Sequence, residues 1–81
     1  METRTALIGI IVEDMEAVEK INRILHDFCM YIIGRMGIPY REKNINIISI
    51  AINAQADTIS TLAGNLGMLK GVNVKTIYSK K

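Results

Sequence analysis

The chain has 81 residues, 49% of them hydrophobic and 22% charged, with a formal net charge of +2. That length implies a single domain over residues 1–81, near the size at which one hydrophobic core is only just sufficient, and excludes a second domain. So small a charge does not point to nucleic acid or to a membrane surface, and a lone cysteine, Cys29, cannot form an internal disulfide. The expected setting is a reducing cytoplasm.

The apolar run Ala6 to Val12 is rich in β-branched residues and apolar on both faces, which predicts a central strand. It is too short for a membrane span and carries no signal-peptide cleavage pattern. Asp14 then offers a helix N-cap, with Glu16 in the first turn, where the helix dipole favours a carboxylate. Val18, Ile21, Leu25 and Phe28 follow at helical spacing, and Met15, Ala17 and Ile24 widen the stripe of an amphipathic helix.

From about Cys29 the period changes to two. Met30, Ile32, Gly34 and Met36 are expected on one face of a second strand and Tyr31, Ile33, Arg35 and Gly37 on the other. Its two glycines and Pro39 suit a sheet edge. After a polar turn, Arg41 to Asn44, a stronger strand runs from Ile45 to Asn53. Asp57 is the expected cap of a second helix burying Ile59, Leu62, Ala63 and Leu66, with Gly67 as its left-handed stop. Val72 to Tyr78 forms the last strand.

The order βαββαβ is the ferredoxin-like plan of the α+β class. The crossover rule then predicts an antiparallel sheet ordered 4-1-3-2 with two helices on one face. Two helices leave the other face bare, although the first and third strands are apolar on both sides. Six large apolar side chains left fully exposed there would forfeit ~10 to 20 kcal/mol of burial. A homo-oligomer, dimer or higher, is therefore expected.

Catalytic constellations are scarce: there is one histidine, no Gly-rich phosphate loop and no serine beside a candidate base. His26 and Cys29 at the first helix end form an incomplete metal-ligand set, better read as an exposed histidine and a buried cysteine. No enzyme, metal or other cofactor is expected. Arg35 lies on an otherwise apolar strand face, where an unpaired guanidinium is expensive, so it needs a carboxylate, carbonyl groups or an anionic ligand. With the first and second strands parallel, Glu13 and Asp14 fall at the same end as the turn after Pro39. Glu13, Asp14, Arg35 and Gly37 are the candidate ligand-binding residues, for a small anionic effector.

Gly34-Arg35-Met36-Gly37-Ile38-Pro39, the strand Ile45 to Ile52, and Leu62-Ala63-Gly64-Asn65-Leu66-Gly67 followed by Gly71-Val72-Asn73-Val74-Lys75 resemble the small iron-only hydrogenase system regulators. The resemblance spans Arg4 to Lys80. It implies an ACT-like domain, similar to the sensor domain of the nickel-responsive repressor. ACT domains bind small effectors at subunit interfaces through the turn that here is Val12-Glu13-Asp14-Met15, without the usual glycine. Nickel-repressor sensors take histidines and a cysteine from their second and third strands, and none stands at the corresponding positions here.

The resemblance thus implies a non-enzymatic regulatory module acting through a small effector or a protein partner. The alternative is an assembly protein that binds a hydrogenase maturation factor without a small ligand. Neither a helix-turn-helix nor a basic recognition helix is present, so direct nucleic-acid binding is not expected.

Overall fold

The computed structural model describes residues 2–81. Its elements are β1 (Arg4–Val12), α1 (Val18–Asp27), β2 (Ile32–Tyr40), β3 (Ile45–Ala54), α2 (Ala56–Gly67) and β4 (Val72–Tyr78). The strands form one antiparallel sheet in the order β2-β3-β1-β4, with no other sheet among the described residues. This is the ferredoxin-like α+β plan that the pattern of apolar runs predicts.

Alternation along β1 and β3 assigns the two sheet faces. Ala6, Ile8, Ile10 and Val12 from β1 and Ile48, Ile50, Ile52 and Ala54 from β3 are buried on the helix side. The helices meet them with Ala17, Ile21 and Leu25 and with Ile59, Leu62 and Leu66, completing one core together with Val72. Leu62 is fully buried, so Leu62→Ala removes packing that its neighbours cannot replace. The expected loss is about 2–5 kcal/mol, measured by urea unfolding with an unchanged slope.

Asp14 caps as its position predicts, its Oδ1 accepting from the Glu16 N–H at 2.9 Å and opening a 3-10 turn, Met15–Ala17, ahead of α1. Met15, however, is 43% exposed and outside the buried stripe, because the tight turn rotates it off the helical period.

Three further elements differ from the pattern reading. Cys29–Tyr31 is a 3-10 turn rather than strand, and it leaves Cys29 exposed instead of buried. In β2 a register shift between Ile32 and Gly34 inserts Ile33 as a bulge. The bulge consumes one residue of the alternation, so Ile32 shares the helix-side face with Arg35 and Gly37, while Gly34, Met36, Ile38 and Tyr40 face away. At α2 the N-cap is Gln55, with Asp57 in the first turn, and Gly67 is still helical. The left-handed glycine is Gly71, at φ 74°.

Candidate functional site

The helix-side row of β2 reads Ile32, Arg35, Gly37, Pro39, opposite Ile52, Ile50, Ile48 and Asn46 of β3. None of the last three β2 residues offers a large apolar side chain to pack under a helix. A groove of about 300 Å³ consequently opens between α1 and β2, lined by Val18, Asn22, Arg35, Gly37, Pro39 and Ile48 among others. Arg35 reaches across it: its Nη2 donates to Oδ1 of Asn22 on α1 at 2.7 Å. Beyond that bridge a second hollow continues past Asn22 and Arg35 to His26 and Cys29.

The partner of Arg35 is therefore a neutral amide carbonyl, and no acidic residue lines the groove on either side of the bridge. A guanidinium has five N–H donors, so a single bond to Asn22 leaves most of them to water or to an anion. Gly37 forms part of the floor, and a Cβ built there meets nothing within 4 Å.

Glu13 and Asp14 lie elsewhere. Glu13 Oε1 accepts from Nδ2 of Asn73 on β4 at 3.0 Å, and its N–H donates to the Gly71 carbonyl at 2.7 Å. Asp14 borders a separate hollow with Glu16, Lys20, Leu69 and Lys70. Arg35 and Gly37 thus come together, whereas Glu13 and Asp14 tie the β1–α1 junction to the α2–β4 turn. Asn22 and Asn46, which also lines the groove, were not singled out by the sequence. Both are short polar residues in apolar-periodic elements, a signal that becomes specific only once the two elements are known to be neighbours.

The family model TM1266-like, described as "Iron-only hydrogenase system regulator, putative", matches residues 4–76. The chain belongs to this family. A solved TM1266-like structure, the uncharacterized protein TM1266 from Thermotoga maritima, is 39% identical with a TM-score of 0.93, covering 98% of this chain and 100% of that one. Two others share the fold alone. A formyltetrahydrofolate deformylase from Pseudomonas putida KT2440 has 14% identity and a TM-score of 0.65, covering 90% of this chain and 28% of that one. An unknown protein from Galdieria sulphuraria has 13% identity and a TM-score of 0.66, covering 99% and 47%. A comparison with curated proteins returned no match.

Among the described residues of this TM1266-like chain, no group of three or more His, Cys, Asp or Glu is placed to hold a metal ion. No helix among them is long and apolar enough to cross a membrane. The family description names a regulator.

Proposed function

We propose that the protein is a non-enzymatic, oligomeric ACT-like regulatory module of the iron-only hydrogenase system, responding to a small anionic effector through Arg35 and Gly37. The reading rests on the open face of the sheet. Leu7, Ile11, Met36, Ile38, Tyr40 and Ile47 are 37–58% exposed there, on the side away from both helices. Covering the remaining half of each is worth roughly 0.7–1.5 kcal/mol, or ~4–9 kcal/mol for the six, comparable with the whole net stability of a small domain.

The relief of that face suits a second copy. One cross-strand row carries Ile38, Ile47 and Ile11, and another carries Leu7 and Ile77. Between them runs the row Met36, Ser49, Gly9 and Lys75, low at its centre and closed at its ends by Met36 and Lys75. Two ridges flanking a trough are complementary to the same surface turned over, the condition for an isologous contact.

Native mass spectrometry of the purified protein tests the reading. A dimer or larger assembly is expected, and a stable 9.0 kDa monomer at all concentrations would overturn it. Arg35→Met should leave subunit number unchanged and abolish thermal stabilisation by anionic metabolites. Dissociation of the assembly by Arg35→Met would instead make Arg35 an interface residue.

A further inference from the structure

A ligand for the α1–β2 groove must satisfy three conditions set by its lining. Val18, Pro39 and Ile48 give it apolar walls, so the ligand needs an apolar body. Among the described residues Arg35 is the only charged one lining it, so the ligand carries about one negative charge. No lining residue is acidic, so a ligand ammonium would have no counter-charge. The volume, about 300 Å³, lies at the small end of ligand pockets.

We infer that the groove binds a small monocarboxylate with a compact branched apolar body and no amino group. This rests on the regulatory reading above, whose effector it names by class. The carboxylate takes two parallel N–H bonds from Arg35, in the fork geometry that guanidinium and carboxylate share. Asn22, now the acceptor for Arg35 Nη2, either keeps that bond or turns its amide N–H toward the bound carboxylate. The apolar body lies over Gly37 against Val18, Pro39 and Ile48. A phosphate dianion finds one cation, the two neutral amides of Asn22 and Asn46, and otherwise apolar walls, a poor match for two negative charges. An α-amino acid would leave its ammonium unpaired.

Gly37 supplies the decisive variant. A side chain at this position has open space around its Cβ, so Gly37→Val fits the folded protein while filling the groove. Gly64, exposed on α2 and away from both the groove and the open sheet face, also has nothing within 4 Å of a built Cβ, so Gly64→Ala is the control.

The experiment is an amide chemical-shift titration of the full chain with isovalerate, and separately with acetate, isopentanol, leucine and inorganic phosphate. Saturable shifts at Val18, Asn22, Gly37 and Asn46 are expected with isovalerate, and binding roughly tenfold or more weaker with each of the others. Gly37→Val and Arg35→Met should each abolish the isovalerate shifts, and Gly64→Ala should preserve them. Absence of saturable shifts, equal binding of phosphate or leucine, or isovalerate binding that survives Gly37→Val would overturn the inference. Sedimentation on the same samples separates the two readings: an oligomer that ignores isovalerate removes this ligand class alone, and a monomer removes the oligomeric module.

Discussion

Ile47→Lys is expected to convert the assembly into folded monomers. Ile47 sits on the open face, in the row between Ile38 of β2 and Ile11 of β1, and is 37% exposed in the single chain. In a two-fold contact the substitution enters twice, burying two unpaired ammonium groups. Removing a partner from a buried charge costs about 3–5 kcal/mol, so association should weaken by roughly a thousandfold or more. The side chain points away from the core between sheet and helices, so the far-ultraviolet circular dichroism of the variant should match that of the wild type. Sedimentation velocity over a wide concentration range decides the matter. An unchanged sedimentation coefficient would remove the open face from the assembly.

Gly71→Ala is expected to be the most damaging single-methyl addition in the chain. Gly71 adopts φ 74°, and a Cβ there would stand 2.5 Å from the Asp14 Cβ and 3.0 Å from the Asp14 backbone nitrogen. Backbone is not the free end of a flexible side chain, so the α2–β4 turn must move away from the β1–α1 junction. Moving it stretches the 2.7 Å bond from the Glu13 N–H to the Gly71 carbonyl. Left-handed strain plus overpacking together cost about 2–4 kcal/mol, lowering Tm by roughly 10–30 °C in a domain of this size. The control is Gly67→Ala. Gly67 is helical and a Cβ there meets nothing within 4 Å, so alanine should be neutral or stabilise by up to about 1 kcal/mol. Thermal melts of the two variants side by side check both expectations, and equal losses would refute the assignment of the close approach to Gly71.

The misplacement of the left-handed glycine from Gly71 to Gly67 shows where local pattern stops. Gly67 follows the last residue of an apolar stripe, which is the usual position of a helix stop. The helix runs on through Gly67, and the position that requires glycine is Gly71, where φ is 74° and Asp14, fifty-seven positions away in sequence, leaves no room for a Cβ. Likewise, strict alternation assigned Ile32 and Arg35 to opposite faces of β2. The bulge at Ile33 reverses that parity, and it depends on register against β3 rather than on any residue within β2.

Element order, strand order and the two-sided apolar character of β1 and β3 were legible in the sequence alone. They follow from periodicity and from the handedness of crossover connections, both of which are local or topological rules. The same periodicity showed that one sheet face stays uncovered. Its half-exposed state, with ridges and trough, required cross-strand neighbours from four different segments. The candidate site was legible only in part. The pair Arg35 and Gly37 stood out because a guanidinium and a glycine are out of place in an apolar strand. Asn22, which accepts from Arg35, and Asn46, which lines the groove, carry no such signal. Glu13 and Asp14 looked like ligand residues because β1 and β2 run parallel and end together. In the tertiary structure Glu13 meets Asn73 and Gly71, and Asp14 lies against the Gly71 turn, both outside the Arg35 groove, since the α2–β4 connection packs against that end of β1. A sequence records which residues share a face of one element. Which faces meet is decided by packing, because burial rewards the fit of whole elements rather than the chemistry of any one position.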